Sequence, residues 1–230
     1  MSSLGMDWGQ FWPPVWLSLR VAICSSVLAT VSGVLLTWKM SRVQFKGKVF
    51  VETVIMLPLV LPPTVVGFIL LVLLGRKSWI GSLAECLLSA PIIFSWGAAV
   101  IASFVVSFPL IYQTMKTGFA SVDKHLVEAG RSLGASEWQV FRYVLLPLST
   151  PSILTAYILG FARGLGEFGA TLMIAGNIPG KTQTVPTAIY VAVDSGHMTM
   201  AWAWTVSMIL VSFMLLLLTG RGDGGRRNLG

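Results

Sequence analysis

Long apolar runs alternate along this chain with short connectors that carry most of its charge. Five runs reach the roughly 20 predominantly apolar residues that a helix needs to cross a bilayer core. They cover residues 15–38, 49–74, 92–115, 148–175 and 200–219. None shows the strict two-residue alternation of a membrane barrel strand, so the pattern predicts an all-α, polytopic helical membrane protein. The whole chain, 1–230, reads as one transmembrane domain of about five spans, or six if a connector segment inserts. Two connectors predict short helices of their own. Trp79, Ile80, Leu83, Leu87 and Leu88 repeat at helical spacing, and Pro186 is placed to open a helix running through Val193. Each is either a lip over an entrance or a connector lying on the surface.

The connector 117–147 is unlike the others. Phe119, Val122, Leu126, Ala129 and Leu133 are spaced 3, 4, 3 and 4 and fall on one helix face. Ser121 is a suitable N-cap with Asp123 in the first turn, and Gly134 a natural stop. Ser136-Glu137-Trp138-Gln139 then fits a capping box and begins a second helix, whose apolar face is Trp138, Phe141, Val144 and Leu145 and which Pro147 ends. Two short amphipathic helices thus meet at Gly134-Ala135. So small a chain has no obvious partner for their apolar faces, which predicts a docking element for another protein.

Composition sharpens the class. Residues are 55% apolar and only 11% charged, with mean hydropathy +0.79. Soluble domains carry about 25% charged residues, and disorder needs low hydrophobicity, so both are excluded. The net charge of +7 reports topology, not nucleic acid. Eleven of the 16 cationic residues fall on one side of the predicted spans: Lys39, Arg42, Lys46 and Lys48, then Lys116, Lys124, Arg131 and Arg142, then Arg221, Arg226 and Arg227. Arg76, Lys77 and Lys181 fall on the other. The positive-inside rule therefore predicts an external N-terminus and a cytoplasmic C-terminus. The first run lacks a basic n-region and reads as a retained span. Cys24 and Cys86 suggest neither a disulfide framework nor a metal site. His125 and His197 fall on opposite sides, so no catalytic cluster is expected. The absence of a G-x-x-x-x-G-K-[ST] loop predicts that ATP is hydrolysed elsewhere.

Two stretches within the spans carry unusual chemistry. Pro58, Pro62 and Pro63 lie near the middle of the second span, where each removes a helix donor. Backbone freed at that depth must be satisfied by protein or by a water-filled cavity, so the segment either lines a path or is a packing kink. In the fourth span Arg163 and Glu167 are spaced i, i+4 on one predicted helix face, among glycines that permit close helix contact. The pair either lends positive potential to an anion path or braces two helices. Arg20, near the outer end of the first span, is expected to snorkel outward.

The connector also carries a family resemblance. Glu128-Ala129-Gly130, then Gly134, then Val144-Leu145-Leu146-Pro147 resembles the motif E-A-A-x3-G-x9-I-x-L-P of ABC-importer membrane subunits, with Gly130 and Val144 as the departures. The resemblance implies a type I importer permease fold, in which Glu128, Ala129, Gly130 and Gly134 belong to a coupling loop seated in a cytoplasmic ATPase subunit. Residues 58–67 and Gly166-Glu167-Phe168-Gly169-Ala170-Thr171 further resemble the molybdate permeases of this class. The related sulfate/thiosulfate permeases, or a tungstate importer, are the alternative. The resemblance implies a bacterial inner-membrane location, a homodimer with the path at its interface, and two ATPase subunits using ATP and Mg. It also implies a periplasmic or lipid-anchored oxyanion-binding protein, and no cofactor or metal on this chain. Pro62, Pro63, Thr64, Arg163 and Glu167 are the expected path residues.

Overall fold

The computed structural model describes residues 8–88 and 90–223, with side chains described except at 87, 88, 216 and 218–223. Among the described residues all regular structure is helical. The helices are α1 (Trp8–Arg42), α2 (Lys48–Val60), α3 (Pro63–Leu74), α4 (Trp79–Leu88), α5 (Trp96–Ala120), α6 (Lys124–Ser132), α7 (Glu137–Val140), α8 (Leu146–Leu148), α9 (Thr150–Leu165), α10 (Gly169–Ala175), α11 (Val185–Asp194) and α12 (Met198–Asp223).

Three helices, α1, α5 and α12, are long and apolar enough to cross a membrane unbroken, and bent pairs bring the total to five. No connector helix adds a sixth, because α4 and α11 have only 10 residues each. Spans one, three and five match three long helices, each extending some residues past the apolar run. Spans two and four are corrected. The second is two half-helices, α2 and α3, set at 115° about Leu61–Pro62. Leu61 and Pro62 are extended (ψ 143° and 137°), and Pro63 starts α3 at a position that needs no donor. The fourth is not continuous over 148–175. It bends by 71° at Ser149 and breaks again at 166–168, between α9 and α10.

Small residues set the packing of the central three helices. Arg20 stacks over Trp96 and Gly33 meets Ile111, so α1 and α5 run parallel. Ser103 meets Gly164 and Gly118 meets Ser152, so α9 runs antiparallel to α5. Ile111, fully buried, sits in a socket made by Gly33 and Gly160. A Cβ at Gly33 would lie 2.9 Å from its Cγ2, and one at Gly160 would overlap its Cδ1. Close approach through small residues is how membrane helices gain van der Waals energy when lipid is as apolar as they are. Along α1 the buried stripe is Ser18, Ala22, Ser25, Ala29, Gly33 and Thr37, which extends the glycine spacing read in span four to a second helix. Arg20 is exposed, lies three turns into α1, and finds a cation–π partner at 5.9 Å in Trp96, the first residue of α5.

At the far end from α6, both predicted connector helices are present as α4 and α11. Ser18 Oγ accepts from the Val185 amide at 2.7 Å, and Trp204 Nε1 donates to the Phe11 carbonyl at 3.0 Å, so α11 and α12 close over the start of α1. The Leu87 and Leu88 side chains lie outside the described residues. So do Arg226, Arg227 and the Arg221 side chain.

Candidate translocation and coupling sites

The hairpin of α6 and α7 follows from its caps. Asp123, not Ser121, is the N-cap of α6: its carboxylate accepts from the His125 amide at 2.9 Å, while Ser121 ends α5. Gly134 has φ +80°, donates to the Arg131 carbonyl, and lets Ala135 donate to the Gly130 carbonyl, which is a Schellman stop. Ser136 and Gln139 form the expected capping box, with bonds of 2.7 and 3.3 Å. Pro147 does not end the second helix. A π turn at Phe141–Leu145, bonded from the Leu146 amide to the Phe141 carbonyl, carries the chain through Pro147 to the bend at Ser149.

The second helix also has a partner within the chain, contrary to expectation. Phe141, buried, stacks on Trp38 of α1 with ring centres 4.5 Å apart, and Trp138 packs edge-on at 5.6 Å. The outward surface of the hairpin is therefore α6. It has no buried residue, Leu133 is 88% exposed, and Glu128 and Ala129 face out, with Gly130 half-buried against Val140.

Glu137 is the feature that sequence reasoning passed over. Its carboxylate accepts from Arg131 at 2.8 and 3.2 Å and forms an ion pair with Arg42, at the end of α1, at 3.2 Å. It ties both hairpin helices to α1. The Arg131 guanidinium beside it, aided by Arg42, holds its carboxyl below the ordinary value of 4.5. Opposite charges six residues apart across a glycine turn were the available signal. Glu52 on α2 likewise accepts from Lys116 at 2.8 Å and Tyr112 at 3.2 Å on α5.

The two unusual intramembrane stretches come together. A Cβ at Gly67 would lie 2.8 Å from Ala170 Cα, and one at Gly169 would lie 3.0 Å from Pro63 Cβ and 3.3 Å from the Thr64 amide. The start of α3 is thus laid directly on α10, and the break at Leu61–Pro62 adjoins the break at 166–168. Pro62, Pro63 and Thr64 are exposed in the single chain. Arg163 Nη1 and Glu167 Oε2 pair at 3.0 Å, but not along one helix face as predicted: α9 ends at Leu165 and Glu167 lies in the break. There its other oxygen, Oε1, accepts from the Ala170 amide at 2.8 Å, satisfying an open donor at the start of α10. Glu167 is buried, with its side chain 1% exposed, whereas the Arg163 side chain is 31% exposed. One of five guanidinium donors is engaged by the carboxylate, and the side chain stays partly exposed.

Half-helices broken inside the membrane, together with a capped hairpin at one end, define the membrane permease subunit of an ABC importer. The chain matches the family of binding-protein-dependent transport system inner membrane components over residues 27–223 and belongs to it. Among its relatives is YvgM of Bacillus subtilis (strain 168), provisionally named a molybdenum transport system permease. It is 56% identical over 207 residues, covering 90% of this chain and 91% of that one. The molybdenum transport system permease protein ModB of Escherichia coli (strain K12) is 40% identical over 90% of this chain and 91% of its own. A Chlorella vulgaris protein, cysT, provisionally named a sulfate transport system permease, is 34% identical over 88% of this chain and 76% of its own. The fold matches a bacterial ABC transporter that imports the polysaccharide alginate, with a TM-score of 0.72 at 15% identity, covering 99% of this chain and 82% of that one. The chain is accordingly a multi-pass inner-membrane protein whose family implies an ATPase and a substrate-binding protein as partners.

Proposed function

We propose that this chain is the permease of a molybdate importer and passes the oxyanion at a homodimer interface. The observation that carries the choice of substrate is the 56% and 40% identity to permeases named for molybdenum transport, against 34% to the one named for sulfate. Two ATPase subunits, which hydrolyse ATP with Mg in place of this chain, receive the hairpin through Glu128, Ala129, Gly130 and Gly134. The exposure of α6 and the anchoring of α7 on Trp38 support that division of labour. The hairpin end faces the cytoplasm and the N-terminus faces out, where a periplasmic or lipid-anchored binding protein delivers substrate.

The path runs by Pro62, Pro63, Thr64, Arg163 and Glu167. What supports this is the adjacency of two backbone breaks and the partly exposed Arg163, paired with a glutamate that lies in one of them. Arg163 offers a tetrahedral dianion attraction already weakened by Glu167, which suits passage better than retention. The second copy covers α2, which buries no residue within its own chain. ATP binding draws the hairpins together and opens the path outward; hydrolysis returns it inward.

Reconstitution of the permease with its ATPase and binding protein tests the assignment. Molybdate is expected to stimulate ATP hydrolysis and to accumulate in proteoliposomes. Stimulation by sulfate alone would make this a sulfate importer.

A further inference from the structure

The second span is fastened unequally on the two sides of its break. On one side α3 buries Val66 and Leu70, and a Cβ at Gly67 would lie 2.8 Å from Ala170 Cα, so its backbone rests on that of α10. On the other side α2 buries no residue, and both residues 43–47 before it and Leu61–Pro62 after it lie outside any helix. Among the described residues, the side-chain hydrogen bonds and ion pairs that join α2 to another helix all end on the Glu52 carboxylate. Its Oε2 accepts from Lys116 Nζ at 2.8 Å and its Oε1 from the Tyr112 hydroxyl at 3.2 Å. Both donors stand on α5, which Ile111 locks to α1 and α9 through Gly33 and Gly160. Tyr112 is fully buried, whereas the Glu52 and Lys116 side chains are 20% and 47% exposed. Glu52, Tyr112 and Lys116 line a cavity of about 620 Å³ at the hairpin end, so the contact can part without unpacking the core.

We infer that Glu52 is a positioning residue of the transport cycle: a latch that holds α2 on α5 and opens in each cycle, letting α2 turn about Leu61–Pro62 while α3 stays on α10. The relative strength of the two attachments decides which half moves. Displacing α3 separates two backbones in contact and draws Val66 and Leu70 out of burial. Displacing α2 breaks one ion pair that water reaches from the cavity, and pairs of that kind are light tethers. The Tyr112 hydroxyl draws the latch shut again, because a buried donor left without an acceptor is costly. The joints at either end of α2 are of the kind that absorb such a rotation. Since α2 ends where Pro62 begins the path residues, its turning changes the width of the passage there. The inference deepens the path reading above and does not depend on which oxyanion passes.

Cross-linking in the permease–ATPase complex tests it, in a background of Cys24→Ala and Cys86→Ala. Glu52→Cys with Lys116→Cys, joined by a short bis-thiosulfonate, fixes the latch shut. ATP hydrolysis by the complex should then be lost and should return with dithiothreitol. Arg20→Cys with Trp96→Cys, both exposed and joined in the same way across α1 and α5, should leave hydrolysis unchanged, because those helices do not part. Hydrolysis that continues through the α2–α5 cross-link would overturn the latch and make Glu52 a static brace, and so would equal loss from the two cross-links. Spin labels at Val49→Cys on α2 and Thr155→Cys on α9, both exposed, give a second measurement in complexes diluted with unlabelled permease. Glu52→Ala should broaden the distance distribution between them, and Glu52→Gln, which keeps one acceptor oxygen, should broaden it less. A distribution unchanged by Glu52→Ala would likewise overturn the proposal. Neither readout requires a transported ion, so a failed molybdate or path assignment leaves these results standing.

Discussion

Arg163 and Glu167 pair across the end of α9, and their unequal burial makes the two halves of the pair unequal to lose. Arg163→Met strands a carboxylate that is 1% exposed and keeps only the bond from the Ala170 amide. Removing one partner of a buried ion pair costs about 3–5 kcal/mol, and the surviving hydrogen bond places this case at the lower end. Glu167→Gln leaves an arginine that is 31% exposed and able to solvate its charge, while the amide oxygen still accepts from Ala170. A hydrogen-bond exchange of that kind costs roughly 1–2 kcal/mol. Arg163→Met should therefore lower the unfolding midpoint further than Glu167→Gln, by about 4–8 °C for the 2 kcal/mol between them. Heating the permease–ATPase complex in steps and measuring the fraction that still elutes as a complex gives the midpoints. The double variant has no stranded charge and should recover part of the loss seen in Arg163→Met alone. Equal midpoints for the two single variants, or a double variant no better than Arg163→Met, would refute the asymmetry. Uptake then separates path from brace: a stable double variant that moves no oxyanion supports the path, and normal uptake assigns the pair to bracing alone.

Other expectations can be checked in the same preparation. Glu128→Lys changes an exposed residue of a helix that buries nothing, so membrane insertion should be normal while ATPase co-purification and uptake are lost; uptake at the wild-type rate would contradict the coupling role. Gly67→Ala places a Cβ 2.8 Å from Ala170 Cα, backbone that cannot swing aside, and should cost about 1–3 kcal/mol and most of the uptake. Gly47→Ala meets only Phe45 at 3.5 Å and should behave as wild type, so equal behaviour of the two would count against the α3–α10 contact. At Gly134, where φ is +80° and the space is open, Val should cost about 1–2 kcal/mol of hairpin stability and Asn clearly less, measured by hydrogen exchange of residues 124–140. The Glu137 carboxyl is held below 4.5, so its clamp is complete above that pH and is released as pH falls through the lowered value. Hairpin protection should fall with acid in wild type but stay flat in Glu137→Gln.

The helical class, the five spans and the capped hairpin were legible because each rests on local chemistry: apolar length, a glycine stop at Gly134, and a capping box at Ser136 whose partner is three residues away. The pairing of Arg163 with Glu167 was legible too, since four residues separate them. What escaped was set by packing between distant segments. Pro147 and Pro151 flank the bend at Ser149, and Gly164, Gly166 and Gly169 surround the second break, but an apolar run of this length hides both, because the bends are stabilised by contacts with α3 and α5. Trp38 reads as one more apolar residue until Phe141 lies against it. Three mid-span prolines signalled a disturbance, but its size, 115°, depends on α3 finding a bed of glycine and alanine on α10.

Ile111, wedged into Gly33 and Gly160, has a mechanical consequence. A side chain locked between two backbones stops α1, α5 and α9 from sliding or rolling past one another, so these three helices form a stiff lever. The compliant points are then the joints at Leu61–Pro62, Ser149 and 166–168, all at its edges. On the coupling proposed above, a stroke delivered to the hairpin would reach the opposite membrane face as rotation of that lever, and filling the socket from either side should seize the machine while leaving every joint intact.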